Sequence, residues 1–179
     1  SRIKAQTVVS PVFLSAEESR SILPIPPDVI YVIAGFAKLQ YAITGNDIEF
    51  GPIVQEVTEE QAENETLGGG MGEYYLPGKP GDVPNWKNSV SMLSLASMVG
   101  RVDYFEVVDR FDSTPVYMVY GTEAFSKPGA VRFYDMLNGP KDRLVFEGAG
   151  HFDIYWMPEY VDPAVEGITE FLNEEINSS

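Results

Sequence analysis

The sequence predicts an α/β protein built on a parallel β-sheet. Three short apolar runs are typical of buried strands, and they are Ile3–Ser10, Pro115–Tyr120 and Arg143–Phe146. From Pro115 onward the order is strand, helix, strand, helix, which implies parallel pairing through right-handed crossovers. Three strands are few for such a sheet, so we expect the sheet to be incomplete in this chain.

The N-terminal elements alternate between strand and helix. The run Ile3–Ser10 is rich in β-branched residues and is followed by Pro11, which predicts a strand in the centre of the sheet. Ser15 and Glu18 form a capping-box pattern that predicts a short helix, ended by the prolines from Pro24 on. Asp28–Thr44 is apolar nearly all round, so we expect a helix that other residues cover.

The middle of the chain carries weaker signals. A second capping box at Thr58–Gln61 predicts a short acidic helix. The stretch Gly68–Trp86 is rich in glycine and proline, which predicts a long irregular connection. Asn88–Val99 has helical spacing of apolar residues and is closed by Gly100.

The C-terminal third is the most regular part of the sequence. The apolar run Val116–Gly121 predicts a buried strand, and Pro128–Leu137 predicts the helix after it. Arg143–Phe146 predicts the next strand. Asp162 and Pro163 together predict the start of a final amphipathic helix.

Composition excludes several classes of function. The chain has 12 Lys+Arg against 27 Asp+Glu, a net charge of −15, which repels nucleic acids and anionic membranes. With no cysteine and one histidine, neither a metal site nor any other cofactor is expected. No apolar stretch reaches the roughly 20 residues of a membrane span, and the first residues lack the pattern of a signal peptide. These features favour a soluble protein, and the cytoplasm among compartments.

His151 is the strongest candidate for chemistry. It follows a predicted strand through a Gly-Ala-Gly turn, and the carboxyl ends of parallel strands are where catalytic groups gather. Glu123 follows the neighbouring strand, where its carboxylate could accept the Nδ1 proton of a general-base histidine. Asp153 is the alternative acid and Asp112 a more distant one. We predict no metal ligands.

The residues around these positions resemble a known family. Thr114–Ala124 and Gly139–Tyr155 look like the last two strands of dienelactone-hydrolase-like α/β-hydrolases of bacteria and fungi, and the ending Pro158–Val165 looks like the same group. The resemblance implies the C-terminal half of such a hydrolase, with an inserted, largely helical cap. Residues 1–11 would then form a core strand, 12–113 the cap, and 114–179 the rest of the core.

The resemblance also implies an acyl hydrolase that cleaves an ester, lactone, thioester or related bond of a small molecule. The nucleophile elbow G-x-S-x-G is absent from the chain, so the nucleophile is expected upstream of Ser1, in an N-terminal half from the same gene or a separate chain. Trp86, Phe125 and Phe152 are candidates to line the acyl pocket, although aromatic residues are more often core.

Two other classes of function remain open. The missing elbow also fits a non-catalytic binding module that reuses half of the fold, and an exposed sheet edge at Ile3–Ser10 favours a homo-oligomer in either case. A glycosidase needs two carboxylates across a cleft, but among 27 acidic residues no pair is informative.

Overall fold

The computed structural model describes residues 3–15, 17–18, 26–54, 67–101 and 103–177. The α/β class is confirmed: helices pack around a parallel sheet of three strands. In chain order the described elements are β1 (Gln6–Val9), α1 (Pro27–Thr44), β2 (Glu49–Phe50), α2 (Leu67–Tyr75), β3 (Val90–Ser91), α3 (Met92–Arg101), a 3-10 helix (Phe105–Phe111), β4 (Val116–Gly121), α4 (Lys127–Met136), β5 (Lys141–Phe146), a second 3-10 helix (Asp153–Tyr155) and α5 (Pro158–Asn177).

The strand order of the main sheet is β1-β4-β5, and both pairings are parallel. Gln6 lies opposite Val116 in one pair, and Val116 lies opposite Lys141 in the other. The central strand is therefore β4, all six residues of which are buried. Among the described strands β1 pairs with β4 alone, and its residues are half-buried, so the prediction that the first strand is central is wrong for the described sheet.

Helices cover both faces of the sheet. Val116, Met118 and Tyr120 point to one face, where they meet α4 and the first 3-10 helix. The alternate residues Tyr117 and Val119 point to the other face, where they meet α5. The side-chain period of two along β4 thus builds a three-layer arrangement around one fully buried strand.

A third apolar cluster lies around α1 and α3, next to the short antiparallel pair of β2 and β3. These elements fall inside the interval predicted to form a cap. The two ends of that interval contact the sheet layer instead: the ring of Phe13 stacks on Phe133 of α4, and Phe105 packs in the same cluster. The division into 1–11, 12–113 and 114–179 stays a prediction.

The capping box at residue 15 is confirmed. The backbone N–H of Ser15 donates to Oε2 of Glu18 at 2.7 Å, and the N–H of Glu18 donates to Oγ of Ser15 at 3.1 Å. The predicted helix around Thr58–Gln61 lies outside the described residues.

Two local predictions differ from the structure. Helix α2 occupies part of the stretch expected to be irregular, despite its three consecutive glycines. A Cβ on Gly70 would lie 2.6 Å from the ring of Phe152, so glycine there allows the helix to approach that ring. The last helix begins at Pro158 and includes Pro163 within its length. No helix in the described part of the chain is long and apolar enough to cross a membrane.

Candidate active site

His151 lies beyond the carboxyl end of β5, as the sequence predicted. The turn from Glu147 to Gly150 separates it from the strand, and Gly148 adopts a φ of 73° there. This left-handed conformation suits glycine, which explains the first glycine of the Gly-Ala-Gly pattern. The histidine is 4% exposed, so its ring is enclosed by protein.

The loop after β4 is fastened to the loop that carries the histidine. The N–H of Glu123 donates to the carbonyl of Ala149 at 3.1 Å, and the N–H of Gly148 donates to Oγ1 of Thr122 at 2.8 Å. A side chain on Gly121 would collide with the carbonyl of Ala149, so only glycine permits this approach. The two loops therefore form one unit at the carboxyl edge of the sheet.

Ser126 is the partner of the histidine within that unit. Its Oγ lies 2.7 Å from Nδ1 of His151, and both residues are buried. Ser126 is also the N-cap of α4, yet its hydroxyl makes no capping hydrogen bond. A capping serine normally accepts from the second or third amide of the helix, and here the second helical residue, Pro128, has no N–H. The hydroxyl is directed to the imidazole instead.

Glu123 does not occupy the predicted position at His151. Its side chain is exposed, and its carboxylate accepts a hydrogen bond from Thr122 at 3.4 Å. The physical reason is that the hydroxyl of Ser126, three residues later, is turned inward and already occupies Nδ1 of the histidine. The expected hydrogen bond between Glu123 and His151 is therefore corrected to one with Ser126.

The other candidate acids have local structural roles. Oδ2 of Asp153 accepts a hydrogen bond from the N–H of Gly150 at 2.8 Å, which closes the turn around His151. Asp112 is exposed at the end of the first 3-10 helix. The structure thus places Asp153 beside the histidine without a bond to its ring, and Asp112 outside this group of contacts.

Tyr155 contacts the second nitrogen of the imidazole. Its hydroxyl lies 3.1 Å from Nε2 of His151, and burial raises the pKa of Tyr155 to about 12. Burial also lowers the pKa of His151 to about 4. The histidine is therefore neutral near pH 7, with one donor and one acceptor nitrogen shared between two hydroxyl groups.

Ser10 holds the backbone of the histidine. Its Oγ donates to the carbonyl oxygen of His151 at 2.8 Å, and both residues are buried. Ser10 has a φ of 44°, the left-handed region that few non-glycine residues adopt, and it lies directly after β1. The residue that ends the first strand thus fixes the loop that follows the last strand.

An aromatic cluster packs over the same histidine. Phe125 lies 4.4 Å from the imidazole between ring centroids, and Phe152 lies 4.7 Å from it. Two tyrosines of α2, Tyr74 and Tyr75, contact Phe152 in turn, at 5.7 and 6.0 Å.

Trp86 stacks on Tyr75 with ring centroids 5.4 Å apart and planes at 10°. All three aromatic residues chosen from the sequence therefore belong to one contiguous cluster. Tyr74 and Tyr75 were not chosen, because their segment was expected to be irregular. The sequence did contain a signal for these two tyrosines: they are adjacent, and they lie in a glycine-rich stretch before Trp86.

Within the described ranges, no group of three or more His, Asp or Glu residues is placed to hold a metal ion. The histidine is instead enclosed by hydroxyl groups and aromatic rings. Such surroundings keep the imidazole in its neutral form near pH 7.

Comparison with solved structures identifies the fold. The chain is similar to the α/β-hydrolase GrgF from Penicillium (TM-score 0.65, 17% identity) and to DcsB, solved in complex with a substrate analogue (TM-score 0.64, 19% identity). It is also similar to a monoacylglycerol lipase from Paleococcus ferrophilus (TM-score 0.52, 17% identity).

The fold is part of an α/β-hydrolase fold. These similarities cover 97%, 97% and 94% of this chain but only 56%, 57% and 59% of GrgF, DcsB and the lipase respectively. The chain thus spans little more than half the length of those proteins. No family model matches the chain, and no curated protein matches it.

Proposed function

We propose that this chain is the C-terminal portion of a serine-type α/β-hydrolase of the dienelactone-hydrolase-like group, and that His151 is its general base. The observation that carries the proposal is the position of a buried, neutral histidine beyond the carboxyl end of a parallel strand, fixed at Nδ1 and at its backbone carbonyl. The nucleophile comes from the part of the protein upstream of this chain. The bond cleaved is an ester, lactone, thioester or related acyl bond.

The proposed reaction uses Nε2 of His151. A serine hydroxyl takes the place of the Tyr155 hydroxyl at this nitrogen, and Nε2 accepts its proton as the oxygen bonds to the acyl carbon. The proton then passes from Nε2 to the leaving oxygen, or to the leaving sulfur of a thioester, as the bond between that atom and the acyl carbon breaks. Water attacks the acyl carbon in the second half, giving its proton to Nε2, and the nucleophile recovers a proton from the same nitrogen. The histidine returns to its neutral state.

Ser126 is the positioning residue in this proposal. A hydroxyl at Nδ1 can hold the imidazole in one orientation, as the triad carboxylate does. It lacks the negative charge that stabilises an imidazolium ion. Glu123 remains a proposed acid only if its exposed side chain turns toward the histidine in the complete protein.

The aromatic cluster defines the proposed acyl pocket. Phe125 and Phe152 pack directly on the imidazole, and Trp86 lies behind them on Tyr75. An apolar acyl group suits such a lining better than a charged one, because its burial against the rings needs no compensating polar contacts. The name of one similar protein, a monoacylglycerol lipase, is in line with an ester substrate.

A fluorophosphonate probe tests the proposal on the full-length protein. We expect the native protein to be labelled at one serine upstream of this chain, and labelling to fall at least ~100-fold in His151→Ala. Val165→Ala, an exposed apolar position on α5, is the matched control and should label like wild type. Native protein that takes up no probe and hydrolyses none of a series of p-nitrophenyl acyl esters would contradict a serine hydrolase.

The second candidate is a non-catalytic binding module. The observation in its favour is that both ring nitrogens of His151 have hydrogen-bond partners and the ring is almost wholly buried. In that case His151→Ala lowers the free energy of unfolding and the native protein never reacts with the probe. The labelling experiment therefore separates the two candidates.

A further inference from the structure

Tyr155 contacts the reactive nitrogen of the candidate site. It ends the second 3-10 helix, and this single turn brings its hydroxyl back to 3.1 Å from Nε2 of His151, four residues earlier. Two aromatic neighbours hold the ring: Tyr74 of α2 lies 5.6 Å away between centroids, and Phe152 lies 5.9 Å away. The hydroxyl is therefore placed at this nitrogen by the fold of the loop and by α2.

The phenol of Tyr155 is a hydrogen-bond donor that keeps its proton. Burial raises the pKa of Tyr155 to about 12 and lowers the pKa of His151 to about 4, so neither group is charged near pH 7. Tyr155 is 37% exposed whereas His151 is 4% exposed, so the phenol lies nearer to the surface of this chain than the ring it contacts. A reactant that comes to Nε2 from that surface therefore meets the phenol as well as the imidazole.

The proposed reaction brings three oxygens to Nε2 in turn. They belong to the serine, the leaving group and the attacking water, and each must come within about 2.6–3.2 Å of the nitrogen to exchange a proton with it. The hydroxyl of Tyr155 already lies at that distance, so an incoming oxygen displaces it sideways. Two oxygens beside one nitrogen then lie about 3 Å apart, which is hydrogen-bond distance.

During acylation, a hydrogen bond donated by the phenol helps the leaving oxygen and not the serine oxygen. The serine oxygen attacks the acyl carbon with a lone pair, and a hydrogen bond to that oxygen would make it a weaker nucleophile. The leaving oxygen gains negative charge as its bond to the acyl carbon breaks, and a donor aimed at it stabilises that charge in the transition state. The donor is therefore useful at the leaving oxygen.

We propose that the hydroxyl of Tyr155 donates a hydrogen bond to the leaving oxygen while Nε2 of His151 transfers its proton to the same atom. The bond between that oxygen and the acyl carbon breaks, its electron pair stays on the oxygen, the oxygen takes the proton from Nε2, and the phenol keeps its own. This role rests on the proposed function, and it makes Tyr155 a residue that discriminates between leaving groups. The benefit is greatest for esters of weakly acidic alcohols and phenols, whose oxygens carry the developing charge least well.

The dependence of Tyr155→Phe on the leaving group, measured on the full-length protein, tests this role. The substrates are aryl butyrates from p-nitrophenyl to p-methoxyphenyl, which share one acyl group, so that kcat/KM compares their acylation. We expect Tyr155→Phe to lower kcat/KM less than ~3-fold for the p-nitrophenyl ester and ~10-fold or more for the p-methoxyphenyl ester, the cost of one hydrogen bond to a charged oxygen. The control, Tyr160→Phe, removes a hydroxyl from a ring that packs on Phe146 near α5 and should leave both values unchanged.

The fluorophosphonate probe separates failure of this role from failure of the proposed function. Fluoride is a weakly basic leaving group, so Tyr155→Phe should be labelled within ~3-fold of the wild-type rate, whereas His151→Ala should not. An equal change in kcat/KM for all the butyrates, no change, or a loss of labelling would overturn the role of Tyr155 alone. A wild type that takes up no probe and hydrolyses no butyrate contradicts the hydrolase itself, and the role of Tyr155 with it.

Discussion

The hydroxyl of Ser126 lies 2.7 Å from Nδ1 of His151, where a triad enzyme has a carboxylate. Both side chains are buried, so neither is free to exchange this contact for water. The nearest acid along the same loop, Glu123, is exposed. The histidine is thus oriented by a neutral group, and the following predictions depend on that geometry.

Removal of the Ser126 hydroxyl should slow the proposed hydrolysis more than neutralisation of Glu123. Ser126→Ala leaves Nδ1 without its partner, and we expect kcat to fall ~10- to 100-fold with KM little changed, because orientation of the base matters in the transition state. Glu123→Gln should change kcat less than ~3-fold, because its side chain makes no contact with the imidazole.

Steady-state kinetics with an aryl ester on the full-length protein would measure both variants. Ser126→Thr, which keeps the hydroxyl, should recover most of the rate lost in Ser126→Ala. The reverse order of effects would restore Glu123 as the catalytic acid.

The free energy of unfolding should fall with acid through His151. Its folded pKa of about 4 lies below the ordinary 6.5, so the unfolded chain binds more protons between these values. The contribution is complete above about pH 6.5 and is lost progressively as the pH falls toward 4, by roughly 3 kcal/mol in all.

Urea unfolding of wild type and His151→Gln at pH 7 and pH 4.5 would measure this effect. The two proteins have the same carboxylates, so any difference between the pH dependences of their free energies of unfolding is due to the imidazole. Wild type should lose more stability than the variant. Parallel pH dependences would show that the buried imidazole does not titrate as described.

A carboxylate at position 126 should raise the pKa of His151. Ser126→Asp places a negative charge beside Nδ1, and an adjacent opposite charge typically raises a histidine pKa by about 1–3 units. Ser126→Asn is the neutral control of nearly equal size. NMR titration of the imidazole, assigned by comparison with His151→Gln, would give the pKa in each variant, and equal values for Asp and Asn would rule out a direct contact at this position.

Gly121 should tolerate no side chain. Gly121→Ala would drive a Cβ into the backbone of Ala149, which cannot move away without separating the two loops, and we expect a loss of about 2–4 kcal/mol in the free energy of unfolding. Gly35→Ala is the matched control: a Cβ there meets nothing within 4 Å, and alanine should stabilise helix α1 by about 0.5–1 kcal/mol. Equal effects of the two substitutions in urea unfolding would contradict the close packing of the loops.

The sequence predicts well those elements whose apolar pattern follows directly from how they are buried. Val116–Gly121 is uniformly apolar because both faces of β4 are covered, and that run indicates a buried strand by itself. Helix α2 could not be predicted, because its glycines disfavour a helix and the contact that requires one of them, Gly70, is with the ring of Phe152, 82 residues away in sequence. Tertiary contact outweighed local propensity there.

The candidate site was likewise predictable only in part. His151 was predictable from a strand, a tight turn and the rule that such positions carry chemistry. Its partners were not, because the choice between Glu123 and Ser126 depends on which side chain the loop turns inward. That choice depends on the conformation of the loop after β4, which the sequence pattern does not specify.

The histidine follows β5 in the chain, but its contact with Ser10 places its backbone beside the end of β1. Leaving β5, the turn crosses the end of β4 and reaches the end of β1, a lateral distance of two strand spacings or roughly 10 Å. Within the described part of the chain, β1 is hydrogen-bonded to one strand, β4, on one of its sides. Any strand that pairs with its other side would end about 4.8 Å from Ser10, and therefore near the backbone of His151 that Ser10 contacts. The turn thus places the histidine near the edge of the sheet formed by β1, where another strand can pair, although the histidine follows β5 at the opposite edge.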